Sequence, residues 1–112
     1  MRPRIRWIAA PLLAAALAGC AGVEAVRLEH SGRAALDRGE PVRAVADLER
    51  AAALAPRVSA IQNHLGIAYE EAGRRDDALQ AYERAVALDC SNEAAAANLD
   101  ALRREAEQAP SR

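Results

Sequence analysis

The stretch NHLGIAYEEAGRRDDALQAYERAVALDC, Asn63 to Cys90, decides the fold, because its small and large apolar residues fall where two antiparallel helices would touch. Leu65, Gly66 and Tyr69 stand at i, i+1 and i+4 on one helix, Gly73 ends it, and Ala78, Tyr82 and Ala85 continue the seam on the next. Small residues at Gly66, Ala78 and Ala85 let the backbones approach, while Leu65, Tyr69, Tyr82 and Leu88 fill the space between them. Arg74, Arg75, Asp76 and Asp77 occupy the intervening turn and read as a solvated corner.

The same pattern recurs 34 residues earlier. Gly66 has Gly32 as its counterpart, Gly73 has Gly39, Ala78 has Ala44, Tyr82 has Leu48, Ala85 has Ala51, Leu88 has Leu54 and Cys90 has Pro56. Tyr69 and Leu65 instead map to Ala35 and Ser31, so the first copy is degenerate in its first helix. A further step of 34 gives Leu99 for Leu65 but Asp100 for Gly66 and Arg103 for Tyr69, so the third unit is one helix. Ala95, Leu99, Leu102 and Ala106 form its apolar stripe, and Asp100, Arg103 and Arg104 form the polar outer face that a terminal cap requires.

With these residues in place, the central stretch resembles the tetratricopeptide repeat (TPR), whose pattern runs W-x2-L-G-x2-Y, then A-x3-F, then P over about 34 residues. Gln62 stands where the Trp is expected, Tyr82 where the Phe is and Cys90 where the Pro is. The resemblance implies an all-α chain: a short α-solenoid of two TPR helical hairpins, residues 25–58 and 59–92, plus a C-terminal capping helix over 93–107 and a disordered tail over 108–112. Helices are expected at about Ala25–Arg38, Val42–Ala55, Ala60–Ala72, Asp76–Leu88 and Glu93–Glu107, with Pro41 at a helix start, Ser59 as an N-cap, Gly73 as a C-terminal cap, and Ser91 or Asn92 capping the last helix. Repeat arrays depend on neighbour interfaces and normally need at least about three units. The first helix, with Arg27, Ser31 and Ala35 where larger apolar residues would anchor it, is therefore expected to be the least protected and to be covered by a partner or a second copy.

The N-terminus has a different character. Arg2, Arg4 and Arg6 precede an apolar run, Trp7–Ala18, followed by Gly19 and Cys20, the layout of a secretory signal. A membrane-spanning helix needs about 20 apolar residues, more than this run supplies. Leu17-Ala18-Gly19-Cys20 resembles the bacterial lipobox, which implies a lipoprotein signal peptide over 1–19, cleavage before Cys20, lipid on that cysteine and a short tether over 20–24 with Gly22 as its flexible point. A plain signal peptide cleaved near a cysteine is the alternative. Ala21 stands where an aspartate holds such proteins at the inner membrane of enteric-type bacteria, so the expected address is the outer membrane, facing the periplasm.

Composition narrows the function. The chain has no Phe and no Lys, its apolar 52% is dominated by Ala and Leu, and its formal charge of −1 gives no nucleic-acid footprint. Without residues 1–19, twelve arginines face sixteen acidic residues, a formal charge of −4. No serine, cysteine or carboxylate pair sits with a histidine as nucleophile and base, no glycine-rich phosphate loop is present, and no cofactor is expected. His30 and His64 occupy equivalent helix positions on the order of 10 Å apart. With no third ligand evident, they read as polar helix-surface residues rather than metal ligands. Cys90 reads as a small residue in the repeat's proline position, although in an oxidising compartment it could pair with another protein or a second copy.

The resemblance implies that the first helices of each hairpin line a concave groove for a protein or peptide partner in the cell envelope. The matching positions are Val26, Glu29, Arg33, Leu36, Asp37, Ala60, Asn63, Ile67, Glu70 and Glu71. Arg33 and Asn63 are the polar groups placed to hold a peptide main chain or carboxylate, and apolar Val26, Leu36 and Ile67 suit an amphipathic segment. The expected function is that of a lipid-anchored adaptor without catalysis. The alternative is a structural or accessory subunit of a pilus, secretion or enzyme assembly, including one that self-associates.

Overall fold

The computed structural model describes the backbone of residues 6–110 and the side chains of residues 19–110. Its elements are α1 (Arg6–Asp37), α2 (Pro41–Leu54), α3 (Ser59–Glu71), α4 (Arg75–Leu88) and α5 (Glu93–Gln108). Each helix packs on the next in sequence, and α3 also touches α1 and α5. That pattern is a short TPR-like solenoid, in which α1, α3 and α5 form one layer and α2 and α4 the other. Met1–Ile5, which hold Arg2 and Arg4 of the signal layout, and the last two residues of the tail lie outside the described residues.

Two close approaches hold the hairpins shut. A Cβ placed on Gly66 would have three Tyr82 ring atoms within 2.9 Å, and one on Gly32 would lie 2.6 Å from Leu48 Cγ. Gly32 and Leu48 precede Gly66 and Tyr82 by 34 positions, so the two seams are one contact used twice. Tyr82 and Leu48 are fully buried, as are Ala44, Ala51, Ala78, Ala81 and Ala85. Gly39 and Gly73, at φ 70° and 76°, carry the left-handed turn that follows α1 and α3. Pro41 opens α2, where its missing N–H costs nothing, and Asn92 Oδ1 accepts from the Ala95 N–H at 3.1 Å to cap α5.

The structure departs from the sequence reading at four places. α1 begins at Arg6, so residues 20–24 continue a helix instead of forming a flexible tether. Ser59 is the first residue of α3 and caps nothing; its hydroxyl donates to the Ala85 carbonyl at 2.8 Å and accepts from Asn92 Nδ2 at 2.8 Å, tying α3 to the end of α4 and the start of α5. Leu88 is 38% exposed, because it is the last residue of α4 and lies beyond the seam. Finally, the first hairpin closes its own leading edge. Ser31 Oγ donates to Asp47 Oδ2 at 2.6 Å at the positions where the second hairpin has the buried pair Leu65 and Ala81. Arg27, in the place of buried Ile61, forms a fork with Glu24 at 2.8 and 2.6 Å. Polar pairs stand on this face of the first hairpin where the second has apolar residues.

The Gly66 seam leads to an expected outcome. Gly66→Ala drives a methyl group into a fixed ring, and the roughly 1–3 kcal/mol cost of overpacking exceeds the ~1 kcal/mol of helix propensity gained. Glu83→Gln, which removes only an exposed pair with Arg103 at 3.0 Å, changes stability by a few tenths of a kcal/mol. Urea unfolding of both variants measures this, and equal midpoint shifts would contradict the seam.

Candidate functional site

The layer of α1, α3 and α5 is the surface on which partner-binding residues were expected, and its helices are joined by a repeated polar rung. Glu29 Oε1 accepts from His64 Nδ1 at 2.9 Å, and Asn63 Oδ1 accepts from Asn98 Nδ2 at 3.0 Å. Each rung spans 35 residues. Glu29 and Asn63 are counterparts in successive units, as are His64 and Asn98, so successive helices meet at the same height and in the same register. Both rungs are partly shielded from water, where a hydrogen bond contributes about 0.5–1.5 kcal/mol net and an orphaned partner costs more.

The expected groove residues separate into three groups. Val26, Arg33, Asp37, Ala60, Glu70 and Glu71 are exposed. Leu36 packs half-buried against the core around Leu48 and Leu65, and Ile67 against the cluster of Tyr82, Leu99 and Leu102. Glu29 and Asn63 are the acceptors of the two rungs, and Asn63 is only 6% exposed. The Asn63 carbonyl oxygen is therefore held by α5. Arg33 remains available. His64 serves a rung while His30 stands exposed on α1, and among the described residues no three potential ligands converge on a metal site.

The turn between α3 and α4 does more than face solvent. The Arg74 guanidinium lies 4.7 Å from the centre of the Tyr69 ring, donates to Asp77 at 2.9 Å and approaches Glu49 to 3.7 Å. Tyr69 donates its hydroxyl to Glu49 Oε1 at 2.8 Å, so this corner joins α2, α3 and α4. Arg75 turns the other way, donating to the Leu102 carbonyl at 2.9 Å and pairing with Glu105 at 3.3 Å. The run of two arginines and two aspartates reads as a solvated corner in sequence because its long-range partners, Glu49, the Leu102 carbonyl and Glu105, are not visible in local spacing. Beside Arg75, a pocket of about 300 Å³ is lined by Glu70, Gly73, Arg75, Leu102 and Glu105.

The sequence model of the tetratricopeptide repeat family matches residues 59–92, the span of α3, α4 and the turn that follows. No curated protein matches the chain. Repeats of this family mediate contacts with protein partners, and such helical stacks are typically non-catalytic scaffolds.

Burial, then the hydrogen bond to Glu49, pushes the Tyr69 phenol up to about 12. Burial, followed by the charge of Glu70, raises Tyr82 further. Free tyrosine titrates near 10. These phenols therefore contribute stability that is fully present below pH ~10 and is lost as the pH rises through the folded values. An ultraviolet titration should find essentially no tyrosinate at pH ~10, where free tyrosine is half ionised, and Glu49→Gln should lower the Tyr69 midpoint. Half-ionised tyrosine at that pH in the folded protein would contradict this account of the corner.

The rungs are tested by a double-mutant cycle. Asn63→Ala and Asn98→Ala should be coupled by about 0.5–1.5 kcal/mol, and additive losses would mean that α3 and α5 do not meet as described.

Proposed function

We propose that the protein is a lipid-anchored adaptor of the bacterial envelope, attached through Cys20, that holds another envelope protein on its short solenoid. The observation that carries the scaffold part is the match of residues 59–92 to a repeat whose family binds protein partners, set in a stack of five helices. The anchor rests on Leu17-Ala18-Gly19-Cys20 behind an apolar run, and three features fit it. Cys20 is exposed and free, and the first buried side chain among the described residues is Ala25. Loss of residues 1–19 would therefore leave every described core contact in place. Among the described residues, no helix is long and apolar enough to cross a membrane.

The five residues from Cys20 to the start of the core rise only ~7.5 Å as a helix. A lipid on Cys20 would thus hold the solenoid against the bilayer, and Ala21 after the cysteine favours the outer membrane. Several acyl chains give stable attachment where one is marginal, at about 0.8 kcal/mol per buried CH2. A second reading, an accessory or self-associating subunit of a larger envelope assembly, draws on the exposed Val23 and Val26 of α1, at 72% and 53%. The Ser31–Asp47 pair closes the neighbouring edge, so the adaptor reading takes precedence.

Mass spectrometry of the protein from its native membrane should show an acylated Cys20 as the first residue. Cys20→Ser should release the chain from the membrane fraction or leave it uncleaved. A Cys20→Ser protein that is cleaved at the same bond and stays membrane-bound would overturn the anchor.

A further inference from the structure

Six large aliphatic side chains among the described residues stay exposed: Val23, Val26, Val42, Leu54, Val58 and Leu88. All but Val42 belong to one edge of the solenoid. Leu28 of α1 packs with Ala51 of α2 and Ile61 of α3, and the Ser59 hydroxyl is bonded to the Ala85 carbonyl and to Asn92, so these residues mark one level across the helices. Val26 precedes Leu28 by two positions, Leu54 follows Ala51 by three, Val58 precedes Ile61 by three and Leu88 follows Ala85 by three. All four therefore stand within about one helical turn, ~5 Å, past that level, on the side where Val23 lies.

The charges gather at the other edge. Residues 36–43 and 70–77, which turn α1 into α2 and α3 into α4, carry ten charged residues in sixteen, whereas 20–28, 51–61 and 85–93 carry five in twenty-nine. Of those five, Glu24 and Arg27 are paired with each other and Asp89 is held by the Ser91 hydroxyl and N–H. With Arg57 and Glu93, the formal charge of the aliphatic edge is −1. The path of α1 points to what covers it. α1 has 32 residues against 14 in α2, so its N-terminal half runs out past the aliphatic edge, through Cys20 and into the apolar run Trp7–Ala18. Whether that run is retained or Cys20 carries lipid, the membrane-seeking segment leaves the solenoid at this edge.

We propose that this edge is a bilayer-docking surface, in which Val23, Val26, Leu54, Val58 and Leu88 enter the interfacial layer of the membrane and the charged turns of the opposite edge face away from it. The docking rests on the anchored reading for its nearness to the bilayer. A lipid on Cys20 leaves ~7.5 Å of helix between bilayer and core, less than the roughly 10 Å width of an intervening helix, so lipid and not another protein covers the edge. A few dispersed aliphatic side chains hold a free protein on a membrane only weakly, but a tether converts their insertion into an intramolecular step and lets them set the orientation. The small negative charge excludes attraction to anionic lipid as the driving force, so a zwitterionic surface suffices.

Cys90, exposed two positions beyond Leu88, is a reporter already in place for the test. The protein from its native membrane is labelled on this thiol with a nitrobenzoxadiazole fluorophore and reconstituted in phosphatidylcholine vesicles that carry nitroxide on their headgroups. A Cys90→Ser, Glu71→Cys protein, otherwise identical at residue 20, carries the label on the charged edge. Nitroxide should quench the Cys90 label severalfold more strongly than the Glu71→Cys label. Leu54→Glu combined with Val58→Glu, at positions already exposed and so harmless to the core, should bring Cys90 quenching down to the Glu71→Cys level, while Val42→Glu should leave it unchanged. Equal quenching of the two labels would overturn the docking, as would quenching indifferent to the paired glutamates. A Cys90 label shielded from aqueous iodide yet not quenched by the lipid nitroxide would place a protein, such as a second copy, on the edge and also overturn it. The anchor is judged separately by the mass of residue 20 in the same preparation: acylated Cys20 with equal quenching preserves the anchor and overturns the docking. Unmodified Cys20 with strong Cys90 quenching overturns the anchor and preserves the docking, held then by the apolar run.

Discussion

The contact on which the rest of the structure depends is the face of Gly66 against the ring of Tyr82. An aromatic ring fully buried between two helices needs a partner with no side chain, and the 2.9 Å or less between a notional Cβ and three ring atoms shows how little room is left. That approach sets the separation of α3 and α4 and pulls the alanines of α4 into the core. It also places the ring where Leu99 and Leu102 of α5 can cover it. Gly32 and Leu48 repeat the arrangement with a smaller side chain. The solenoid is thus one packing solution applied twice and closed by a helix whose counterpart positions, Asp100 and Arg103, decline a further partner.

Much of this was legible in the residues, because a seam of small and large side chains leaves a periodic trace. The spacing of Gly66, Ala78, Tyr82 and Ala85, and its echo at Gly32, Ala44, Leu48 and Ala51, specify which helices pair and which faces touch. Polar stacking left no such trace. Asn98 supports Asn63 only once the crossing of α3 and α5 is known, and an asparagine in a first helix reads equally well as a groove residue. Ser31 looks like decay of the motif when it is set against an apolar template position alone, without the Asp47 that faces it. Seen together they are a hydrogen-bonded pair in the place of Leu65 and Ala81, which is how the leading edge is finished. Leu88 and Ser59 were misplaced for a related reason: at helix ends a shift of one residue decides between core and solvent, and between capping a helix and bonding across to another.

Function was less legible than fold, since a repeat scaffold specifies a manner of binding and leaves the partner to individual side chains. Several groove positions expected from the repeat pattern are occupied by the structure itself: Glu29 and Asn63 in rungs, Leu36 and Ile67 in packing. What remains on this layer is mostly charged, with Arg33 about one turn before the end of α1 and acidic groups at the ends of α1, α3 and α5. That distribution favours recognition by charge and hydrogen bonding over burial of a long apolar helix. Under the proposed anchoring, the short distance from Cys20 to the first core residue would keep this surface close to the membrane.

The central claim is that all three units stack in one register, the first included, and amide hydrogen exchange on the full chain tests it most directly. The shared seam and the Ser31–Asp47 closure require that amides from Leu28 to Leu36 in α1 be protected to a similar degree as those from Ile61 to Ala68 in α3. Exchange of the α1 amides at rates near those of an unstructured chain, with α3 and α4 still protected, would contradict it.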